Sequence, residues 1–421
     1  MSTAVCVDVG STYTKACLVD LDGGRLLGRC EVPTTSDSDV LSGLDAAVRG
    51  LDPGAPLYVC SSAGGGLRLA VVGYESLVTA EAGHRVGLSA GAQVVHVAAG
   101  VLDGRAVAAL RAARADVVLL VGGTDGGDGE VLVHNARALA ASRMRVPVVV
   151  AGNADVRGEA AAVLSERRLA VTVTANVLPR IGVLDAGPAR AAIREVFLRH
   201  VIGGKKLSRG PRFGSLVRAA TPDAVLAAVE LLADVTGAGV LVVDVGGATT
   251  DVYSALVPDA ESESGPRRDV AGTLWRSRTV EADLGVGVGA SGVVAAGSAE
   301  GLGVPDIGGG RPYDVVTDRG LASVAAMVAL RRHARGHSAG PGLPRTGGRD
   351  LREVRLVVGS GGVLRHGGGE QVLAAVLGDT AGGWAAPATA RRVVDSAYVL
   401  AAAGLLAAEH PKAAAGLLDA W

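Results

Sequence analysis

The sequence predicts an α/β protein of more than one domain, and three observations carry that expectation. At 421 residues the chain exceeds what one ordinary core takes up. An apolar strand, an aspartate, a glycine turn, hydroxyl residues and a second apolar strand follow one another twice. They do so at V-C-V-D-V-G-S-T-Y-T-K-A-C-L-V-D (5–20) and at V-L-V-V-D-V-G-G-A-T-T-D-V-Y (240–253). Between these stretches, from about 85 to 175, strand and helix patterns alternate, which implies parallel βαβ units.

Taken in order, residues 4–9 and 15–21 read as short β-branched strands, with Leu26–Val32 as the third strand of an antiparallel meander. A helix at 40–50, a strand at 57–61, the glycine turn S-A-G-G-G, a strand at 67–73 and a helix near 75–83 follow. The alternating region places strands at 93–98, 116–121, 146–151 and 169–174, with helices at 104–115, 129–142 and 155–167. Its loops G-G-T-D-G-G-D (122–128) and G-N-A-D fall at carboxyl ends of strands, where such sheets place function. Residues 187–202 pattern as an amphipathic helix, and 203–215 as a basic loop. A helix at 221–234 leads to a strand at 239–245, and 258–269 reads as a hairpin tip or disordered insertion. Glycine-rich loops are expected at 301–313 and 335–350. A strand at 354–358 and helices near 370–377, 387–408 and 411–420 close the chain. No fixed-period repeat is visible.

Composition narrows the function. Hydrophobic residues make up 49% and charged residues 20%, so the chain is core-rich. A net charge of −1 argues against a basic nucleic-acid surface or a polybasic membrane anchor. The 62 glycines follow no G-X-Y period, which excludes collagen. No apolar run reaches about 18 residues, so no transmembrane helix is expected. Asp8 interrupts the first apolar run and no basic region precedes it, so no signal peptide is expected. Cys6, Cys17, Cys30 and Cys60 form no C-x-x-C pair and read as small strand hydrophobes, with cytoplasm the default compartment. His333 and His337 have helical spacing, but the glycines and proline that follow argue against a stable ligating face.

The two turns have the chemistry of a phosphate or metal–phosphate site. Glycines at Gly10, Gly246 and Gly247 let backbone N–H groups wrap an oxygen-rich anion without Cβ clashes. Ser11, Thr12, Thr14, Thr249 and Thr250 add hydroxyl donors, and Lys15 adds positive charge. Asp8 and Asp244 sit at strand ends, where a carboxylate can hold Mg²⁺ through its waters. A third motif, V-R-L-V-V-G-S-G-G-V (354–363), runs a strand into Gly359-Ser360-Gly361-Gly362, a backbone against which a nucleoside can lie.

In this order the trio resembles the phosphate-1, phosphate-2 and adenosine motifs of the actin, heat-shock chaperone and sugar kinase superfamily. The resemblance implies a two-lobed actin-like ATPase (ribonuclease H-like) fold, with duplicated α/β lobes closing over ATP and Mg²⁺. Asp8, Gly10, Ser11, Thr12 and Lys15 match the first motif. Asp244, Gly246, Gly247, Thr249 and Thr250 match the second, and Gly359, Gly361 and Gly362 the third. Ala248 stands where many members have a third glycine. On this reading 1–236 is a first lobe with an α/β insertion at about 85–200. Residues 237–384 form the second lobe, and C-terminal helices (385–421) pack back on the first.

A closer resemblance covers most of the chain. L-L-V-G-G-T-D-G-G-D, V-H-N-A-R-A-L-A, V-V-V-A-G-N-A-D-V, T-A-N-V-L-P-R-I-G and P-A-R-A-A-I-R-E-V-F are similar to the glutamate mutase accessory family, MutL or GlmL, unrelated to DNA mismatch repair. It implies an ATP-dependent chaperone or reactivating factor for adenosylcobalamin-dependent mutase subunits. A small-molecule kinase on the same fold is the alternative. It needs a general base, for which Asp125, Asp128 and Asp251 qualify by residue type. An iron–sulfur activator of a radical dehydratase is disfavoured, because all four cysteines lie within residues 6–60. The 122–128 loop reads equally as an anion or partner site and as a plain turn. His134 and Asn135, on the following helix, read as local hydrogen-bonders.

Overall fold

The computed structural model describes residues 2–64, 67–76, 78–202, 207–257, 275–308, 314–338, 345–346, 348–419 and 421. The insertion expected at 258–269 lies outside them, as do parts of the glycine-rich stretches near 65, 205, 310 and 340. The chain divides into two compact units, the first Met1–Ala224 with Pro258–Ser277 and the second Val225–Val257 with Arg278–Trp421.

The first unit opens with the expected meander, β1 (Thr3–Val9), β2 (Tyr13–Asp20) and β3 (Leu26–Pro33). Helix α1 (Val40–Arg49) follows, with Asp39 accepting from the Leu41 N–H at its start. That cap supplies an acceptor to one of the orphan donors of the first turn. Strand β4 (Leu57–Ser61) then pairs parallel to β1. Next come β5 (Arg68–Gly73), α2 (Thr79–Ser89), β6 (Gln93–Ala99), α3 (Gly104–Ala112), β7 (Val117–Leu120), α4 (Glu130–Ala141), β8 (Val148–Val150), α5 (Arg157–Glu166) and β9 (Val171–Val173). These five strands form a parallel sheet ordered β6-β5-β7-β8-β9. The inserted sheet therefore starts at residue 68, earlier than the expected 85, and the helix expected near 75–83 lies at 79–89.

Helix α6 (Gly187–Val196) continues as a π-helical turn, Phe197–Ile202. The stretch read as a basic loop ends in a short helix α7 (Arg212–Leu216), and β10 (Val217–Ala220) follows it. β10 completes the first sheet in the order β10-β4-β1-β2-β3.

Period-two alternation builds the core. Leu69, Val71, Val117, Leu119 and Val149 share a cluster with Val5, Val7 and Val9 of β1 and with Ile193 and Phe197. The intervening residues Ala70, Val72, Val118, Leu120 and Val150 pack with Leu132, Leu139 and Leu164 of α4 and α5.

Helix α8 (Thr221–Thr236) runs in sequence from the first unit to the second. The second unit holds β11 (Gly239–Val245), β12 (Thr250–Ala255), β13 (Arg276–Glu281), α9 (Ala290–Ala299), α10 (Val315–Arg335) and a small ladder of β14 (His337–Ser338) with β15 (Arg345–Thr346). After these come β16 (Val354–Ser360), a π-helical turn Leu364–Gly368, α11 (Gly369–Leu377), β17 (Arg391–Val394), α12 (Leu400–Leu406) and α13 (Pro411–Leu418). Its sheet is ordered β13-β12-β11-β16-β17. That is the order of the first sheet, β3-β2-β1-β4-β10. Strand pairs β1/β2 and β11/β12 are antiparallel, while β1/β4 and β11/β16 are parallel. The duplication expected of an actin-like fold is thus present in the topology, although no sequence period announces it.

The helix expected at 387–408 is corrected. Arg391–Val394 is a strand parallel to β16, and the helix begins only at Leu400. The β-branched pair Val393-Val394 suits the pleat of the sheet. Asp395 then starts the helix by accepting from the Val399 and Leu400 N–H groups. Residues 385–421 group with the second unit rather than the first.

Beneath this sheet a buried ion pair fixes α10. Arg331 donates through Nε and Nη2 to both oxygens of Asp379, each at 2.8 Å, and both side chains are 3% exposed. The guanidinium, helped by the Trp384 indole N–H, holds the Asp379 carboxyl down to about 2. Replacing Arg331→Ala leaves a buried carboxylate without its cation. The expected loss is about 3–5 kcal/mol of stability, read as an earlier midpoint in urea unfolding.

Candidate functional site: two matched turns and an adenosine-type loop

In the first unit, Gly10 N–H donates to the Tyr13 carbonyl at 3.1 Å, closing a four-residue turn. A Cβ on Gly10 would stand 2.7 Å from that same oxygen, so the turn excludes any larger residue. Asp8 lies directly opposite Lys15 in the ladder. Two groups missed by sequence reasoning hold its carboxylate. The Thr221 hydroxyl, on the first residue of α8, and the Cys60 thiol at 3.6 Å both donate to Oδ1. Burial and then the Asp8 charge push the Cys60 thiol well up, so it stays protonated and can donate. Parallel pairing of β4 with β1 puts Cys60 beside Asp8, a proximity that sequence separation hides. Ser11 and Thr12 are exposed at the tip. Thr14 is fully buried and shares a hydrogen bond with Thr34 at 3.0 Å, so the structure places it in the β2–β3 packing.

The second turn repeats this geometry. Gly246 N–H donates to the Thr249 carbonyl at 2.9 Å. Asp244 stands two residues before Gly246, as Asp8 stands before Gly10, and it lies opposite Asp251, as Asp8 lies opposite Lys15. The opposite charge is restored by Arg278, which donates to Asp251 Oδ1 through Nη2 at 2.6 Å and Nε at 2.9 Å. Thr249 Oγ1 also reaches Asp251 at 3.3 Å, while Thr250 is buried and donates to the Leu284 carbonyl.

The third motif is built against the second. Asp244 pairs in register with Ser360, and Val243 with Gly359. Gly361 has φ +104°, and a Cβ there would come 2.1 Å from the Val245 carbonyl oxygen. Gly359 leaves room for Leu364, and Gly362 is exposed with open space beside it. Asp244, Gly246, Gly247, Thr249, Ser360, Gly361 and Gly362 thus gather at one end of the second sheet, with Asp8, Gly10, Ser11, Thr12 and Lys15 at the matching end of the first.

The 122–128 loop is cross-braced. Asp125 Oδ1 accepts from the Ala154 N–H at 2.9 Å and from Asn176 Nδ2 at 2.8 Å. Asn153 Nδ2 donates to the Gly127 carbonyl, and Asp155 accepts from the Gly126 N–H. Asp128 accepts from the Glu130 N–H at the start of α4. Asn135 is buried, accepting from Leu102 N–H and donating to the Gly100 carbonyl, as a local hydrogen-bonder does. All three carboxylates weighed as a kinase base are therefore engaged, Asp251 by an arginine.

His333 lies inside the last turn of α10, where a glycine-broken end was expected to spoil the helix. Its Nδ1 meets Thr279 Oγ1 at 3.0 Å and its Nε2 meets Ser254 Oγ at 2.9 Å, so both ring nitrogens are used. Burial, then the Arg349 charge, push its pKa well below 6.5. The folded state keeps it neutral while the unfolded chain titrates near about 6.5. Its stabilisation is therefore full above that pH and lost as pH falls below it. Thermal melts from pH 8 to 5 are expected to show this loss, and His333→Gln to flatten it.

The four cysteines are thiols outside any disulfide; Cys6, Cys17 and Cys60 are buried in β1, β2 and β4, and Cys30 is half-buried in β3. Among the described residues no helix is long and apolar enough to cross a membrane.

A duplicated fold with paired Asp–glycine turns defines a class of α/β proteins suited to holding phosphates. Comparison with known proteins is more particular. The family model described as "MutL protein" matches residues 4–306 and 310–421, and this chain belongs to that family. Protein MutL of Clostridium tetanomorphum is 32% identical over 460 residues, covering 100% of this chain and 99% of its own. Among solved structures, component A of the Acidaminococcus fermentans (R)-2-hydroxyglutaryl-CoA dehydratase is 9% identical, with a TM-score of 0.32, and covers 99% of each chain. A ROK hexokinase from Thermus thermophilus is 15% identical, with a TM-score of 0.31, and also covers 99% of each.

Proposed function

We propose that this chain is an ATP-binding accessory protein, a chaperone or reactivating factor, for an adenosylcobalamin-dependent glutamate mutase or a related carbon-skeleton mutase. The observation that carries the nucleotide part is the repeat of one turn geometry in both units, each with an aspartate two residues before its first glycine. Membership of the MutL protein family supports the accessory part. The residues fit the ligand: Gly10 tolerates no Cβ, and the N–H groups of Gly247 and Ala248 have no hydrogen-bond partner among the described residues. Mg²⁺, when bound, would neutralise phosphate charge and order the attacking water.

The chain's own groups have separate tasks in this reading. Asp8 and Asp244 hold the metal's waters. Thr221 and Cys60 fix the Asp8 carboxylate. Lys15 and the turn N–H groups of both units receive phosphate oxygens, and Gly361 and Gly362 present backbone to the nucleoside. Of the three carboxylates a kinase could use as base, Asp251 is held by the Arg278 guanidinium, which makes it the weakest base of the three. Cytoplasm is the compartment we assign, in keeping with four cysteines outside any disulfide.

Turnover of ATP by the purified chain, with and without a cobalamin mutase, tests this. Hydrolysis that rises with the mutase is expected. Hydrolysis that rises only with a small hydroxylated acceptor, yielding its phosphate ester, would make the chain a kinase.

A further inference from the structure

Residues 283–289, D-L-G-V-G-V-G, lie on the second turn. Val286 N–H donates to the Gly246 carbonyl at 3.1 Å, and Gly287 N–H to the Gly247 carbonyl at 2.7 Å. The approach is too close for side chains. A Cβ on Gly285 would stand 2.3 Å from the Ala248 carbonyl carbon, and one on Gly287 would stand 2.7 Å from the Gly247 oxygen. Gly289 in turn abuts the Gly285 backbone, where a Cβ would stand 2.6 Å from its nitrogen. Leu284 is buried and its carbonyl accepts from Thr250, so the segment is tied to both sides of the turn.

We infer that this segment is a positioning strap that presets the second turn for a diphosphate or triphosphate. The inference rests on the ATP-binding reading. A peptide carbonyl and the N–H of the next residue point in opposite directions across the peptide plane. When the strap takes the Gly246 and Gly247 carbonyls, it aims the N–H groups of Gly247 and Ala248 the other way, where they converge as anion donors. Donors fixed in advance cost no reorganisation when the phosphate arrives. The close approach at Gly285 is to the Ala248 backbone, so a side chain at 285 is excluded whichever residue stands at 248.

The positioning residues are therefore Gly285 and Gly287, neither of which is assigned contact with the nucleotide. Gly287→Ala and Gly285→Ala are expected to weaken ATP and ADP binding by about tenfold or more, while adenosine affinity stays within about twofold. Val288→Ala, on the same strap but 91% exposed, is expected to match the wild type. Equal loss of adenosine and ATP binding would mean that the strap only supports the fold, and unchanged ATP affinity in both glycine variants would overturn the inference. A wild-type chain that binds no nucleotide overturns the underlying reading instead.

Residue-resolved hydrogen exchange covers the case in which the variants do not fold. In the free wild-type protein the Val286 and Gly287 amides are expected to exchange slowly, and those of Gly247 and Ala248 fast. Added Mg²⁺-ATP slows only the second pair. Fast exchange at Val286 and Gly287, or slow exchange at Gly247 and Ala248 before nucleotide is added, contradicts a preset turn.

Discussion

Asp8→Asn and Asp244→Asn each remove the Mg²⁺ dependence of nucleotide binding and lower ATP hydrolysis by about 100-fold or more. The expectation follows from where the carboxylates sit. Each ends a central strand, two residues before a glycine turn that closes on itself. Asparagine keeps the shape and one acceptor oxygen but loses the charge that holds a hydrated divalent ion. The two substitutions differ in their structural cost. Asp8 is 9% exposed and accepts from Thr221 and Cys60, so Asp8→Asn also disturbs a buried set of donors. Asp244 is half-buried beside Ser360. Asp244→Asn is therefore the cleaner probe, and isothermal titration with Mg²⁺-ATP against ATP in EDTA reads it.

Gly361→Val carries the largest expected cost to the fold. At φ +104° an L side chain is strained before any contact is counted. The Cβ would then stand 2.1 Å from the Val245 carbonyl oxygen, closer than any real contact allows. Relief requires β16 to move away from β11 where the phosphate and nucleoside motifs meet. About 3 kcal/mol or more of stability is expected to be lost, with nucleotide binding lost at temperatures where the unit remains folded. Gly362→Ala is the control for stability alone, because its Cβ meets nothing within 4 Å. A melting curve of Gly361→Val that overlays the wild type would show that the loop does not hold this conformation in solution.

Both turns were legible because their signal is local. An apolar run, one aspartate and a glycine at fixed spacing form a hairpin whose register needs no distant information. The groups that complete the site were not legible for the complementary reason. Thr221 reaches Asp8 across 213 residues and Cys60 across 52, through parallel pairing that only the folded sheet reveals. Arg278 reaches Asp251 from a strand that follows a long insertion. The strap D-L-G-V-G-V-G did carry a signal, alternating glycine against apolar residues, and alternation at close approach is how backbone packs on backbone.

Elements were missed where periodicity is blurred. Helix α10 packs against β11, β12, α9 and α11, so its buried residues, from Leu321 through Ala334, surround the axis instead of forming one stripe. Strand β17 is four residues of R-R-V-V beside alanine-rich sequence, and the parallel ladder with β16 decides its conformation. The strand-by-strand duplication was hidden because 155 residues (62–216) separate β4 from its neighbour β10 in the first sheet.

The most direct test of nucleotide binding is calorimetric titration of the purified full chain with Mg²⁺-ATP. Saturable one-site binding that weakens in EDTA, and that in Asp244→Asn is equally weak with and without Mg²⁺, is the expected result. No binding at any Mg²⁺ concentration, from a chain shown to be folded, would contradict it and leave the two matched turns as architecture alone.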